Sequence, residues 1–139
     1  MSAKDFNVVF REDATATIYG RVASGGSTGS ATGVPGEGNW TLRADLSSIS
    51  YRVWDETNNE EVTASTAITV SDVLVDTPVT SNANWPIDST GYNFTHSVGP
   101  ASFPHGGASM AIEYTFNYAA GSIVGKAVVR GIAKPLRGS

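Results

Sequence analysis

Three segments within residues 85–129 decide the fold class of this chain. Residues 85–96 read W-P-I-D-S-T-G-Y-N-F-T-H, residues 111–118 read A-I-E-Y-T-F-N-Y, and residues 122–129 read S-I-V-G-K-A-V-V. An aspartate-glycine turn opens the first, a Pro/Gly-rich break separates it from the second, and A-A-G leads into the third. Alternating apolar and polar residues between short turns are typical of antiparallel sheet. The sequence therefore predicts three consecutive antiparallel strands here.

The upstream half repeats this pattern. Alternation predicts strands over residues 14–22, 48–54 and 62–70, and a further short strand is expected over residues 39–44. Residues 77–87 contain two prolines and are expected to be irregular. About eight short strands at this spacing indicate an antiparallel, all-β sandwich. The predicted inward-facing residues are Ile18, Ile49, Tyr51, Val53, Ile112, Tyr114 and Phe116.

The length of 139 residues fits one domain. We expect residues 1–12 to be an N-terminal arm or a first strand, residues 13–134 to form the sandwich, and residues 135–139 to be a tail. The first ten residues contain an apolar run that is unusual for a free tail, and Trp85 precedes a proline in a predicted loop. The predicted intersubunit interface residues are Phe6, Val8, Val9, Phe10 and Trp85.

Composition excludes several classes of function. The chain has no cysteine, which removes disulfides, cysteine nucleophiles and zinc-thiolate sites. Nine basic and thirteen acidic residues give a net charge of −4, and a nucleic-acid partner would need a basic face. The N-terminus does not resemble a signal peptide, and no apolar run suits a membrane helix, so we expect neither a membrane partner nor export.

Candidate catalytic residues do not form a recognisable set. Residues 88–91 read D-S-T-G, one residue longer than the aspartic-protease triplet and present once, so Asp88 is predicted to stabilise a turn. The only histidines are His96, on a predicted strand, and His105, in a predicted loop. Without a G-x-S-x-G elbow, neither is placed beside a nucleophile. The sequence predicts no enzyme, no catalytic residue and no cofactor.

Binding sites for metals and glycans are open alternatives. A two-histidine metal site and a calcium site at Asp72, Asp76 and Asp88 are conceivable, although neither has a recognised spacing. A sugar-stacking platform could be formed by Trp40, Trp54, Trp85, Tyr92 and Tyr118, but packing explains these aromatic residues as well, with at least one of Trp40 and Trp54 in the core. The Gly-rich segment 24–38 is either a surface loop or is ordered by a partner. The sequons at Asn39 and Asn93 are interpreted as chance matches.

The layout from residue 85 onward resembles the immunoglobulin-like β-sandwich modules of tailed-phage virion proteins, in particular the N-terminal module of baseplate upper proteins. The resemblance covers about the last third of the chain. The matching elements are Asp88, Gly91, Tyr92, Phe94, Pro104, Gly106, Tyr114, Phe116, Gly121 and residues 123–129.

This resemblance implies an immunoglobulin-like sandwich in a virion protein made in the host cytoplasm. Nothing in the chain corresponds to a coiled coil or a receptor-binding part after the sandwich, so a capsid cement, neck, tail or baseplate component is expected. Its partners would be other capsid or tail subunits, or further copies of itself. The alternative from a different class is a carbohydrate-binding or adhesion module.

Overall fold

A computed structural model describes residues 2–24, 39–80, 91–119 and 124–135. Within these ranges the chain is built almost entirely from strands, with one helical turn, α1 (Val70–Val73), and short 3₁₀ turns at Arg43–Asp45 and Pro100–Ser102. The strands are β1 (Ser2–Asn7), β2 (Ala16–Ser24), β3 (Asn39–Trp40), β4 (Leu46–Asp55), β5 (Glu60–Ile68), β6 (Leu74–Val79), β7 (Tyr92–Val98), β8 (Ser109–Tyr118) and β9 (Val124–Ile132).

The strands form two antiparallel sheets. The first has the order β1-β2-β7-β6, with β3 also paired to β2, and the second has the order β5-β4-β8-β9. In the second sheet Tyr51 lies opposite Tyr114, and Glu113 lies opposite Val128. The predicted all-β sandwich is confirmed.

The core lies between the two sheets and is rich in aromatic rings. Phe94 of β7 meets Tyr114 and Phe116 of β8 edge-on, with ring centroids 5.1 Å and 5.8 Å apart. Such edge-to-face pairs add to the free energy gained from burying apolar area. Six of the seven predicted inward residues are buried, and Tyr51 is partly buried against the same core. The period-2 alternation therefore identified the core correctly.

The N-terminal segment is a strand of this chain's own sheet. β1 pairs antiparallel with β2, and beyond it Phe10 is 2% exposed and stacks on Phe103 at 5.2 Å. A Cβ at Gly131 would lie 2.8 Å from the Phe10 ring, so the glycine makes room for it. Of the two alternatives for residues 1–12, the structure has the first strand. Phe10, one of the predicted interface residues, therefore packs in the core of its own chain.

Two further segments differ from the sequence-based expectation. Residues 77–79, expected to be irregular, belong to β6, which ends the first sheet, and an edge strand tolerates Pro78 because its outer side needs no ladder bond. The strand expected over residues 39–44 stops after β3. The Asp45 carboxylate there accepts a 2.8 Å hydrogen bond from the Leu42 amide and closes a 3₁₀ turn.

A buried asparagine replaces part of the ladder between β2 and β7. Asn93 is 1% exposed; its side-chain oxygen accepts from the Val22 amide at 2.8 Å, and its amide group donates to the Val22 carbonyl at 2.9 Å. Burying an amide is tolerated only when it is bonded in this way. A glycan on Asn93 would have no room, which agrees with a chance sequon there.

Candidate functional site

Strand β9 carries exposed apolar side chains along one edge of the second sheet. Among the described residues β9 pairs with β8 alone, apart from a parallel bridge between Arg11 and Lys134 just beyond its end. Its outward-facing Val124, Val128 and Ile132 are 53%, 42% and 64% exposed. An accessible sheet edge with apolar side chains is a site where another strand can add. We define Val124, Val128 and Ile132 as the β9 stripe.

A fourth exposed apolar residue lies near the end of β9. Val9 is 50% exposed, and just after it Arg11 forms the parallel bridge with Lys134. The Lys134 amide donates to the Phe10 carbonyl and the Glu12 amide donates to the Lys134 carbonyl, both at 2.9 Å, so this segment runs beside the chain just after β9. The interface prediction for Val9 did not include β9 and stays a prediction.

The rest of the outer face of this sheet is covered by paired charges. Arg52 lies 3.1 Å from Glu113, and Lys126 approaches the same carboxylate at 3.8 Å. Farther along, Arg130 lies 3.3 Å from Glu56. These partly exposed pairs contribute little to stability individually. They do fix the charge pattern that a partner would meet.

Trp54 belongs to this outer face and not to the core. It is half-buried, and the Arg52 guanidinium lies 5.2 Å from the centre of its ring, a cation–π distance. The guanidinium covers one face of the ring, and Trp54 also lines a groove of about 380 Å³ beside Glu56 and Arg130. The side chain of Trp40 is not described, and Trp85 lies outside the described residues, so the rest of the predicted tryptophan platform stays a prediction.

A polar groove runs beside His96 between the two sheets. The His96 Nδ1 lies 2.8 Å from the Tyr114 hydroxyl, and the Tyr51 ring meets the imidazole edge-on at 4.6 Å. Burial lowers the pKa of His96 to about 4, and burial together with Tyr51 raises the pKa of Tyr114. At neutral pH both groups are therefore uncharged. The groove has a volume of about 540 Å³, and its polar lining residues include Thr66, Thr69, Asp72, Thr95 and Ser97.

The other histidine lies in a different environment. His105, in the loop between β7 and β8, approaches Glu60 at the start of β5, with Nε2 3.6 Å from Oε1. Asp55, at the end of β4 and opposite Glu60 in the register, completes the group. One ligand atom from each of the three side chains lies within 4.8 Å of the others. We call these three residues the hairpin-loop cluster.

Asp55 is the buried member of the hairpin-loop cluster. Its two carboxylate oxygens accept hydrogen bonds of 2.9 Å and 2.8 Å from the backbone amide and the side-chain amide of Asn58. Burial alone would raise the pKa of Asp55, but the Asn58 bonds, the charge of His105 and a backbone bond from Thr57 outweigh it and hold the pKa below its usual value. Asp55 is therefore ionised at neutral pH.

The remaining predicted site residues are not brought together. Val8 is half-buried against the core, and the backbone of Phe6 lies in β1. Of the proposed calcium ligands, Asp72 lies in α1, whereas Asp76 lies in β6 and accepts a 2.8 Å hydrogen bond from the Arg43 amide. Asp88, Trp85 and most of segment 24–38 lie outside the described residues.

Sequence reasoning missed the hairpin-loop cluster and the β9 stripe for different reasons. The sequence suggests His105 as a ligand only together with His96, and Asp55 and Glu60 are not among the predicted ligands. Their approach to His105 depends on the loop after β7, which is distant in sequence. The available signal was the pair of carboxylates flanking one predicted hairpin.

Protein-family models, curated proteins and solved structures contain no match to this chain. None of the helices in the described ranges has the length and apolar character needed to cross a membrane.

Proposed function

We propose that the protein is a non-enzymatic structural subunit that assembles through strand edges of its four-stranded sheet. The observation that carries this proposal is the β9 stripe, three exposed aliphatic side chains on an edge strand. Aliphatic groups that recur on an edge favour strand addition, in which main-chain bonds give affinity and the side chains give register. The chain's own copies are the partner that the charge pattern favours.

The two edge strands of the second sheet differ in their charged residues. β9 carries Lys126 and Arg130 between the stripe residues, whereas β5, at the other edge, begins with Glu60 and Glu61. Pairing β9 with β9 of a second copy, centred on Val128, would place Lys126 opposite Arg130, and like charges directly opposite are unfavourable. Pairing β9 with β5 of the next copy brings opposite charges together instead.

Such head-to-tail pairing is heterologous, so it produces a ring if the rotation closes and a filament if it does not. Rings and stacked tubes are what virion necks and tails require. The virion setting, with a capsid cement, neck, tail or baseplate component as the candidates, rests on the resemblance of residues 85–129 to immunoglobulin-like virion modules.

The state of the histidines supports a non-enzymatic role. A general base works best with a pKa near the operating pH. His96 has a pKa of about 4 and contacts a phenol whose own pKa is raised, so it is a poor base at neutral pH. His105 contacts carboxylates, and no serine or threonine hydroxyl is bonded to it among the described residues.

A mixing experiment tests the assembly. We expect the wild-type chain to self-associate in a concentration-dependent way in analytical ultracentrifugation. Val128→Lys on β9 and Ala67→Lys on β5 should each give monomers, because each loses one edge. Mixed together they should form a dimer, since each variant retains the edge that the other lacks. Ser50→Lys, on the outer face of the central strand β4, is the matched control and should assemble as wild type.

Three results would overturn this arrangement. A wild-type chain that stays monomeric at all concentrations excludes self-assembly. Self-association of Ala67→Lys as in wild type excludes β5 as the partner strand. Variants that fail to dimerise on mixing show that the contact is not head-to-tail.

The groove beside His96 supports a second candidate, a carbohydrate-binding module. A half-buried tyrosine, several hydroxyl groups and the Asp72 carboxylate are groups that bind sugars, and about 540 Å³ is a usual volume for a ligand site. Titration with soluble oligosaccharides tests it: binding should weaken at least tenfold in Asp72→Asn and remain unchanged in Asp76→Asn. Binding that is unchanged in Asp72→Asn, or no binding at all, would exclude a carbohydrate site in this groove.

A further inference from the structure

The hairpin-loop cluster combines side chains that metal ions bind. Asp55 and Glu60 close the hairpin between β4 and β5, and His105 is contributed by the separate loop between β7 and β8. The three side chains therefore converge from two regions that are distant in sequence. Imidazole and carboxylate groups together are a ligand set of zinc and other first-row transition metals.

The spacing of His105 and Glu60 suits one ion between them, and one ligand atom of Asp55 lies within 4.8 Å of both. The 3.6 Å from His105 Nε2 to Glu60 Oε1 is too long for a hydrogen bond. In tetrahedral zinc sites the metal–ligand bonds are about 2.0–2.2 Å, which puts two ligand atoms roughly 3.3–3.6 Å apart. The pair is thus separated as two ligands of one ion would be.

The Asp55 side chain is positioned by hydrogen bonds as a metal ligand would be. It is fully buried, and its two bonds from Asn58 orient the carboxylate as outer hydrogen bonds orient metal ligands. The carboxylate has four lone pairs, and with the backbone bond from Thr57 three of them accept hydrogen bonds, so one is still available. The Asn58 bonds therefore position Asp55 without using up its capacity to ligate.

The charge of the cluster also favours a cation. Within the part of the chain that the structure describes, neither Asp55 nor Glu60 forms an ion pair with a lysine or an arginine. Two carboxylates therefore stand beside one imidazole, and one of them is buried. Buried charges are normally paired or bind metals, and a divalent ion would neutralise both.

We propose that Asp55, Glu60 and His105 bind one divalent transition-metal ion, with Zn²⁺ as the best match. A water molecule would complete a tetrahedral site, as in zinc sites with three protein ligands. Calcium and magnesium are weaker matches, because both prefer oxygen ligands alone. The bound ion would join the hairpin between β4 and β5 to the loop between β7 and β8, and so stabilise this end of the sandwich.

Titration of the metal-free full-length chain with Zn²⁺ tests the site. Calorimetry should show one ion bound per chain, and Tm should rise with Zn²⁺ concentration because the ion binds the folded state. His105→Gln and Glu60→Gln should each weaken Zn²⁺ binding at least tenfold. Both residues are exposed, so these variants should fold. His96→Gln is the matched control and should bind as wild type.

Replacing Zn²⁺ with Co²⁺ or Ca²⁺ distinguishes a transition-metal site from a calcium site. Co²⁺ should occupy the same site and show visible absorption of tetrahedral intensity, which His105→Gln removes. No saturable Zn²⁺ binding at millimolar concentration would overturn the proposal. So would equal Zn²⁺ affinity in wild type and His105→Gln, or a Ca²⁺-induced rise in Tm as large as that from Zn²⁺.

Discussion

The two faces of the four-stranded sheet carry side chains of opposite character on the same strands. On β8, Tyr114 and Phe116 point inward and are fully buried, whereas their neighbours Glu113 and Thr115 point outward and remain partly exposed. The inner face is packed with aromatic rings, and the outer face has paired charges and the β9 stripe. Stability is thus concentrated in one half of the residues of each strand. The other half is available for contacts with partners.

The largest expected loss of stability comes from Phe116→Ala, which tests the difference between the two faces of the sheet. The ring is fully buried and packs edge-on against Phe94. Removing it should lower the free energy of unfolding by about 3–5 kcal/mol, through lost apolar burial and the cavity left behind. Thr115→Ala, one residue away on the outer face, should cost no more than about 0.5 kcal/mol. Urea denaturation measures both, and similar losses for the two variants would contradict the division between the faces.

The inner face could be predicted from the sequence because burial there follows a local rule. Alternation alone identified Ile112, Tyr114 and Phe116, since every second side chain of a strand points to the same side. Tyr51 obeys the same alternation but lies where the groove opens, so it is only partly buried. Its exposure depends on the position of β7, which its own segment does not encode.

The outer face and the hairpin-loop cluster depend on the order of the strands. The sequence around Val128 is that of an ordinary strand, and only the strand order shows that β9 is an edge. Phe10 illustrates the converse: its apolar neighbourhood suggested an arm, but the pocket beside Phe103 and Gly131 exists only after the sheets pack. Non-local packing therefore decides which apolar segments are exposed and which face the core.

The contact between His96 and Tyr114 lies at the boundary between the inner and outer faces, and it predicts a pH dependence of stability. The pKa of His96 is about 4 in the folded chain and near 6.5 in the unfolded chain, so the unfolded state binds the proton first as pH falls. Stability should therefore decrease from pH 6.5 to about pH 4 and receive no further change from this group below that. The full pKa difference corresponds to about 3.4 kcal/mol, but His96 is partly exposed, and we expect about 1–2 kcal/mol after solvent screening.

Chemical denaturation at a series of pH values measures this effect. His96→Gln should flatten the stability curve between pH 4 and pH 6.5 relative to wild type. An unchanged slope in His96→Gln would show that the imidazole is solvated and belongs with the outer face.

The smallest expected effect comes from the charge pair between Arg52 and Glu113 on the outer face. A double-mutant cycle with alanine at both positions should give a coupling energy of about 0.2–1 kcal/mol, as for other partly exposed pairs. The coupling should decrease with added salt, because the charges are accessible to solvent. The cycle is needed because Arg52 also covers Trp54, and Glu113 also approaches Lys126. A single substitution would also remove these other contacts, so its effect could not be assigned to the ion pair alone.

The pair between Arg130 and Glu56 provides the internal reference for that measurement. Its arginine is 64% exposed, compared with 38% for Arg52, so its coupling should be smaller still. Coupling energies above about 2 kcal/mol in either cycle would mean that the outer face contributes to folding as buried interactions do. In that case the charges would be part of the fold, and a lysine at Val128 would disturb stability as well as assembly. Coupling within the expected range would show that the charges of the outer face can change without loss of the sandwich.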